Sequence, residues 1–406
     1  MAGDDAQGRI ARVEFTGRRV ELFGLLFRGY VLTVPTIGIY RFWVTTWKRR
    51  FYWHNTVIDG EPLEYSGHAL QLLIGFLFAI AFFLPIYLAF LYLSTQTAEI
   101  VVIGYVAIVI AVWFLTGYAI YRGRDFRLSR TLWRGIRFNQ DGSAWIYALR
   151  RFAWSLAMVL TLGLIYPAMA SSLWRYRYRH TWYGDRAFRW TGTWKTIAGP
   201  YYLTYFLIVI AAITGSAIAA AAPMLTIDGM TVPGPEAWLG IAATALFAVL
   251  CWFFYRAGEA SRMYSEVRLG EARATVKVSG WALFAQFVMF VFSFVAAAVI
   301  LIVIGLFLLA ALSGAFPGSE STLLAELSRL ARSGWLTVLA LVFGWLLILG
   351  TFTLLAETFL GYGYWMLIAR GSTISNADGI SSVGARDEDQ ALAGEGLADA
   401  LNVGAY

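Results

Sequence analysis

The sequence has few charged residues and almost none of the side chains that bind zinc or form disulfides. Only 14% of its 406 residues are charged, whereas soluble domains carry about 25%. It has a single cysteine, Cys251, which excludes a disulfide within the chain. With His54, His68 and His180 as the only histidines, a Cys/His zinc site cannot be assembled. We therefore expect a membrane protein that holds no metal and no cofactor.

The sequence also lacks the motifs of the common enzyme classes. It has no glycine-rich phosphate loop, no nucleophile elbow and no paired-carboxylate motif, so catalysis is unsupported. Its N-terminus has acidic residues and no apolar core before about residue 20, which is unlike a cleavable signal peptide. The net charge of +7 does not predict a nucleic-acid partner. Basic residues beside membrane spans set orientation and contact anionic headgroups, so membrane lipids are the expected partner.

Long apolar runs make up most of what is present. A helix needs roughly 20 mostly apolar residues to span a bilayer. Several runs meet this requirement, and they occur in pairs separated by a short connection. These pairs predict transmembrane hairpins at 69–121, 198–257 and 282–369.

The positions of lysine and arginine predict the orientation of these hairpins. The connections inside the hairpins carry two basic residues, Arg329 and Arg332, whereas the loops on the other side, 44–68, 122–143, 172–197 and 256–280, carry twenty. Cytoplasmic loops are enriched in lysine and arginine. We therefore predict a multi-pass protein of the bacterial inner membrane with both termini in the cytoplasm.

Two further apolar segments, 22–46 and 144–171, are each interrupted by arginine, proline and a Thr-x-Gly sequence. If both crossed the membrane, the six arginines of 122–143 would lie outside, against the lysine and arginine bias. We predict broken re-entrant or interfacial helices instead. The predicted fold is an all-α polytopic membrane protein with six full transmembrane helices, two broken segments and short cytoplasmic β-hairpins. Eight transmembrane helices is the alternative.

One segment occurs twice in the sequence, at 36–67 and again at 161–192, without a gap. Each copy has a Thr-x-Gly break, an aromatic and basic run, and an alternating segment that closes in glycine. Alternation before glycine predicts a short strand. Each copy also has a two-residue turn signal typical of a β-hairpin, at Asp59-Gly60 and at Gly184-Asp185.

A third, partial copy lies at 255–280, with Val278 aligned to Tyr65 and Gly280 aligned to Gly67. A lone hairpin is marginally stable in water, so we expect the three hairpins to pack together at the cytoplasmic face. The repeats divide the chain into units. The predicted divisions are an N-terminal tail 1–21, unit 1 at 22–121, unit 2 at 122–257, a partial unit 3 at 258–370, and a disordered C-terminal tail 371–406.

The same motifs resemble those of a known family. Phe15-Thr16-Gly17, Asp59-Gly60 and Tyr65-Ser66-Gly67, together with their counterparts in the second copy, are similar to the YjgN family of bacterial inner-membrane proteins. The resemblance covers roughly residues 12–380. It implies a multi-pass protein of the inner membrane. That family is a domain of unknown function, so the resemblance implies no substrate, cofactor or catalytic residue.

Four charged residues lie within apolar segments and are candidates for a polar pathway or ligand site. Glu357 lies in the last apolar run, and an ionisable residue inside a span marks a pathway by default. The alternative is a glutamate near the cytoplasmic end that pairs with Arg370 or a loop arginine. Arg28, Arg150 and Arg151 interrupt the broken segments, where they either line a polar cavity or extend to the headgroups.

The basic and aromatic run of each copy predicts a surface for anionic lipid or a partner, formed by Arg49, Arg50, Arg175, Arg177 and Arg179. The leading functional hypothesis is a transporter- or channel-like protein that acts on an unidentified small molecule. The alternative is a non-transporting scaffold that binds anionic lipid or a protein. The small-residue run 216–222 suits close helix contact within the chain or between copies of it.

Overall fold

Eleven helices account for most of the residues that the computed structural model describes, which are 9–227, 230–313, 334–380 and 382–386. The predicted outer connection 313–334, with Arg329 and Arg332, lies almost entirely outside these ranges. A π-helical turn, Glu357–Gly361, joins the last two helices. The helices are α1 Arg19–Thr33, α2 Arg41–His54, α3 Ala69–Leu93, α4 Ala98–Leu128, α5 Ala144–Leu160, α6 Tyr166–Arg179, α7 Lys195–Ala221, α8 Pro235–Ser265, α9 Gly280–Ser313, α10 Trp335–Ala356 and α11 Tyr362–Arg370.

Six helical stretches in the described ranges are long and apolar enough to cross a membrane, and they coincide with the six predicted spans. They are α3, α4, α7, α8, α9 and the continuous stretch Val342–Arg370. At most 17% of the apolar window of each is buried inside the protein. Apolar surface that protein does not cover requires lipid around it. The chain is therefore a multi-pass membrane protein.

The two broken segments form pairs of short helices, α1–α2 and α5–α6, as predicted from their Thr-x-Gly sequences. In the first, Thr36 donates to the carbonyl of Leu32 at 2.8 Å, and Gly38 has a φ of 84°. The equivalent Gly163 has a φ of 92°. Positive φ suits glycine because it lacks a Cβ, so the glycine ends one helix and the chain turns into the next. Helices of 14 to 17 residues are too short to span the hydrocarbon core at 1.5 Å per residue.

Ten short strands of the described chain close into an antiparallel barrel, so the predicted all-α fold with short separate hairpins is wrong. The predicted hairpins are present, but each is part of the barrel. Closure pairs every strand on both sides, which removes the exposed edges that a separate hairpin would have. The barrel strands are β1 Ala11–Phe15, β2 Thr56–Ile58, β3 Glu61–Tyr65, β4 Thr131–Trp133, β5 Ile136–Gln140, β6 Thr181–Tyr183, β7 Arg186–Trp190, β10 Val267–Leu269, β11 Ala272–Val276 and β12 Ser372–Ser375. A separate hairpin in the α7–α8 connection holds β8 Met224–Ile227 and β9 Met230–Pro233.

The barrel strands follow each other around the barrel in chain order, and β12 closes it against β1. Connections alternate between a tight turn and a set of helices, which is a pair in the first four cases and includes α9, α10 and α11 in the fifth. Because neighbouring strands are antiparallel, all five helical connections leave from one edge of the barrel and all the tight turns lie at the other edge. The barrel therefore sits at one end of the helix bundle.

The glycine that closes each copy of the repeat is required by the aromatic residue two positions earlier. A Cβ on Gly67 would lie 2.5 Å from the ring of Tyr65, and a Cβ on Gly192 would lie 2.4 Å from the ring of Trp190. Arginine donates to the glycine carbonyl in both copies at 3.2 Å. The pairs are Arg50 with Gly67 and Arg175 with Gly192.

The third copy has a different register from the predicted one. Strand β11 ends at Val276, and α9 begins four residues later at Gly280. Strand β3 ends at Tyr65, and α3 likewise begins four residues later. Val276 is thus the counterpart of Tyr65, and Gly280 is the first residue of a helix. The strict alternation does not distinguish two registers that differ by two residues, because both place the same side chains inward.

Part of the segment predicted as a disordered tail is ordered. Strand β12 begins at Ser372, and residues 377–380 and 382–386 then cover the turn edge of the barrel, whereas 387–406 lie outside the described residues. Ile380 packs with Trp133 and Tyr183 in an apolar cluster of the barrel. Arg186 holds the segment by donating to the carbonyl of Gly379 at 3.0 Å. The turn edge of the barrel is therefore closed by the chain itself.

Candidate functional site

The polar groups of the bundle gather beside the π turn in the last span. A π turn accommodates one extra residue within a helix, and such turns are frequent at functional sites. Glu357 begins this turn and accepts a hydrogen bond from Lys48 of α2 at 2.7 Å. The two side chains are only 13% and 16% exposed. Burial, followed by the charge of Glu357, raises the pKa of Tyr30 on α1.

A cavity of about 850 Å³ lies next to Glu357, between α7, α8, α9 and the last span. Most of its walls are apolar, with Val249, Phe253 and Phe352 among them. The polar side chains lie mainly toward the barrel end of the helices. They are Arg256, Gln286, Thr353, Glu357 and Tyr364. We call this arrangement the Glu357 cavity.

One polar wall of the Glu357 cavity is held by an arginine from outside it. Arg19, at the start of α1, donates to the side-chain oxygen of Gln286. Its guanidinium also lies 4.8 Å from the ring centre of Phe359 and 5.1 Å from that of Tyr362. Burial lowers the pKa of Arg19. The side chain of Gln286 packs directly against Gly363. A Cβ at position 363 would lie 2.5 Å from that side chain.

A second ion pair neutralises the charge on the α8 side. Arg256 donates to Glu259 one turn along the helix, and Tyr166 of α6 donates to the same carboxylate. Burial, followed by the charge of Glu259, raises the pKa of Tyr166. Each of the two acidic groups near the cavity thus has a basic partner. With Arg19 beside Gln286, the described charged groups around the cavity are three cations and two carboxylates.

The four residues predicted as a polar pathway are not brought together. Glu357 lines the cavity, and its basic partner is Lys48, while Arg370 donates to the carbonyl of Phe15. The other three lie on the short helix pairs. Arg28 and Arg150 are exposed, and Arg151 is partly exposed. None of these three lines the cavity.

Most of the arginines predicted as a lipid or partner surface have contacts within the fold. Arg49 is buried and donates to the hydroxyl of Tyr65 at 3.0 Å. Arg50 and Arg175 hold the glycine carbonyls described above, and both keep exposed surface. Arg177 lies over the ring of Trp174 at 5.2 Å, and Arg179 is exposed.

Sequence reasoning missed several residues of the site. In the sequence, Lys48 is one residue of a basic run, and no local pattern indicates its ion pair with Glu357, which lies 309 residues later. Gln286 is a polar residue six positions into the apolar helix α9, and such a position is a usable signal. Arg19 and Tyr364 give no signal, because they lie near helix ends where polar residues are common.

The chain was compared with known families, with curated proteins and with solved structures. A family model described as bacterial protein of unknown function (DUF898) matches residues 10–311. No curated protein and no solved structure matches the chain. The matched range covers most of the sequence and contains both copies of the repeat. The chain therefore belongs to the DUF898 family, which is the YjgN family that its motifs resemble.

Proposed function

We propose that this member of the DUF898 family is a transporter-like membrane protein whose Glu357 cavity takes up an amphipathic molecule. The observation that supports the proposal is the combination of a large apolar cavity with polar groups concentrated toward one end. Ligand sites typically have volumes of about 300–1,000 Å³ and a few polar groups on apolar walls. A lipid-like molecule would place its hydrocarbon against Val249 and Phe352 and its polar group against Gln286 and Tyr364.

The second part of the proposal concerns movement of the ligand. Lys48 belongs to a broken helix pair, and Glu357 belongs to a span interrupted by a π turn. Discontinuous helices that contact the substrate region are a common element of secondary transporters. We propose that the Lys48–Glu357 ion pair connects the two and that its breaking and reforming accompanies passage of the ligand.

We also propose that the barrel faces the bacterial cytoplasm and that both termini lie on that side. Most of the lysine and arginine residues flank the ends of the spans next to the barrel. This distribution is typical of the cytoplasmic side of a membrane protein.

Binding tests the first part of the proposal. Ala356 lines the cavity, so Ala356→Phe fills part of it. Leu347, on the opposite face of α10, is exposed and does not line the cavity, and Leu347→Phe is the matched control. With a fluorescent fatty-acyl probe and detergent-purified protein, we expect Ala356→Phe to weaken binding about tenfold, which corresponds to 1.4 kcal/mol. The control should bind as the wild type does. Equal affinity in both variants would contradict the cavity as the binding site.

Transport tests the second part. In proteoliposomes that carry the same probe in one leaflet, Glu357→Gln should reduce probe transfer while binding persists. Arg150→Ala should transfer at the wild-type rate, because Arg150 lies outside the cavity. Wild-type transfer in Glu357→Gln would remove the ion pair from the mechanism. Binding without transfer in the wild type would leave a binding protein and exclude a transporter of this molecule.

The exposed arginines support a second candidate function, a non-transporting protein that binds anionic lipid at its basic surface. Arg175 and Arg179 are exposed beside the aromatic side chains of α6. Anionic headgroups are attracted to such a surface. If this function is correct, neutralising Arg175, Arg177 and Arg179 together removes co-purified anionic lipid. Unchanged lipid retention would exclude it.

A further inference from the structure

A second, smaller cavity lies between α2 and the beginning of α3. Its volume is about 210 Å³, and none of its described lining residues belongs to the Glu357 cavity. Its α2 wall consists of four residues that share one face of the helix, Trp43, Thr46, Trp47 and Arg50. The opposite wall is formed by 68–70, where α3 begins. We call this cavity the Arg50 pocket.

The Arg50 pocket lies at the level of the membrane headgroups. The span α3 runs from Ala69 to Leu93, so the pocket is at the end of a membrane-crossing helix. Tryptophan is enriched at this level, and basic side chains there attract anionic headgroups. Arg50 and Leu70 are both exposed. The pocket is therefore accessible from the surface at a depth where phospholipid headgroups lie.

Arg50 gives the pocket a positive charge. It is the one formally charged side chain among the described lining residues, which include no carboxylate. Its Nη2 donates to the carbonyl of Gly67 at 3.2 Å. That partner is neutral, and Arg50 contacts no carboxylate within the described ranges. The charge is therefore available to an anionic ligand, and the guanidinium has further N–H groups to donate.

Two indoles form the aromatic part of the wall, and a tyrosine outside the pocket holds them. Tyr40 stacks on Trp43 with ring centres 5.8 Å apart, and it meets Trp47 edge-on at 5.5 Å. Both tryptophans are partly exposed. Neither indole N–H has a hydrogen-bond partner in the described part of the chain. Together with the imidazole of His68, the indoles can supply neutral donors around an anion bound by Arg50.

The second copy of the repeat indicates that the tryptophans are not needed to form the motif itself. The arginine makes the same hydrogen bond to the closing glycine in both copies. The counterparts of Trp43 and Trp47, however, are Ala168 and Ser172. The aromatic wall is thus present in one copy of a motif that also folds without it, which favours a role in binding.

An apolar stripe continues from the pocket along α3. Leu70 lines the pocket, and Ile74 and Leu77 follow it on the same face of the helix. All three are exposed, at 59%, 49% and 56%. An acyl chain attached to a headgroup in the pocket would lie against this stripe, from which a free anion would gain nothing. The geometry therefore favours a phospholipid over free phosphate.

The size of the pocket also fits a headgroup. Sites that enclose a whole small molecule have volumes of about 300–1,000 Å³, and the Arg50 pocket is smaller than this range. It can hold a polar headgroup while the rest of the molecule stays outside. Guanidinium groups form strong, charge-assisted hydrogen bonds with phosphate oxygens.

We propose that the Arg50 pocket binds the phosphate headgroup of a phospholipid, with Arg50 as the charged donor and the acyl chains along α3. The sequence predicts Arg50 as part of a lipid or partner surface, and this site narrows that surface to one cavity. The site depends neither on the function of the Glu357 cavity nor on the arginines of α6.

Native mass spectrometry with added dioleoyl phosphatidylglycerol tests the site on the detergent-purified protein. Trp47→Leu removes an indole and leaves the bond from Arg50 to Gly67 in place, whereas Arg50→Gln removes the charge. We expect each variant to bind the lipid about tenfold more weakly than the wild type. Trp238→Leu and Arg262→Gln are the matched controls, because both residues are exposed on α8 and neither lines the pocket. Both controls should bind as the wild type does.

Thermal unfolding then separates a phospholipid from free phosphate. Phosphatidylglycerol should raise the Tm of the wild type and of the two controls, and it should raise the Tm of Trp47→Leu and Arg50→Gln less. Inorganic phosphate alone should leave the wild-type Tm unchanged. An equal rise with inorganic phosphate would overturn the phospholipid as the ligand. Lipid binding at the level of the controls in Trp47→Leu or in Arg50→Gln would overturn the site.

Discussion

Lys48 and Glu357 are 309 residues apart in sequence and form an ion pair of 2.7 Å inside the bundle. The pair joins the first copy of the repeated motif to the π turn of the last span. It places a charge-neutral contact beside the cavity, where a lone carboxylate would be costly.

Removing one partner of this pair should destabilise the protein more than removing both. Glu357→Gln leaves the Lys48 ammonium buried without its counter-charge, and we expect a loss of about 3 kcal/mol. The double variant Lys48→Met/Glu357→Gln should recover most of that loss. Unfolding in detergent measures both. Glu21→Gln, which breaks the exposed pair with Arg18, is the control and should leave the Tm unchanged. If the double variant were as unstable as Glu357→Gln, the unpaired Lys48 charge would not be the cause of the lost stability.

Substitution of the motif glycines should be destabilising because of the rings beside them. Gly67→Ala and Gly192→Ala place a methyl group against Tyr65 and Trp190, and each should cost about 1–3 kcal/mol. Gly199→Ala is the control, since a Cβ there meets no atom within 4 Å. It should leave stability unchanged or raise it, because alanine favours a helix. Comparison of Tm values checks the prediction, and equal losses at all three glycines would refute it.

The barrel should lose stability at alkaline pH through Tyr183. Its hydroxyl donates to the carbonyl of Trp133 at 3.0 Å, and burial raises its pKa to about 12. The unfolded chain ionises this group near pH 10, so its contribution is complete below that pH and is lost as the pH rises toward 12. Tyr183→Phe should therefore cost about 1 kcal/mol at pH 8. The gap in Tm to the wild type should narrow by pH 11, and a constant gap across this range would contradict the assignment.

The orientation of the barrel can be tested with single cysteines. In a Cys251→Ala background, Glu271→Cys lies at the turn edge of the barrel, and Thr95→Cys lies in the connection between α3 and α4. Both positions are exposed. A membrane-impermeant maleimide added to intact cells should label Thr95→Cys only. Inverted vesicles should give the reverse. Labelling of Glu271→Cys in intact cells would place the barrel outside.

Local features were predictable because they depend on neighbours in sequence. The Thr-x-Gly breaks ended helices as expected, since glycine at Gly38 and Gly163 adopts a left-handed conformation. The alternating segments formed hairpins at both predicted turns. The barrel was missed because its other strands have three to five residues and carry too little pattern to recognise. A signal was nevertheless present in Phe15-Thr16-Gly17, which precedes α1 as Tyr65-Ser66-Gly67 precedes α3.

The candidate site shows the same division. Glu357 was identified from sequence because a carboxylate in an apolar run is conspicuous, but its partner and its cavity were not. Arg28, Arg150 and Arg151 are also charged residues in apolar segments, but the structure places them outside the cavity. In the sequence, Arg124 is one of six arginines in a basic loop, but in the structure it donates to Gln140 and Thr181 of the barrel.

Apolar length and the spacing of arginine, glycine and aromatic residues determine by themselves that this is a multi-pass membrane protein with six long helices and a repeated helix-to-hairpin motif. These properties depend on the transfer of side chains into lipid and on local backbone geometry. Only the tertiary structure decides that ten strands close into one barrel and that Ala11 pairs with Ile374. Strand closure, the Lys48–Glu357 pair and the hydrogen bond from Arg124 to Thr181 all join distant parts of the chain. No local pattern specifies which distant segments will meet.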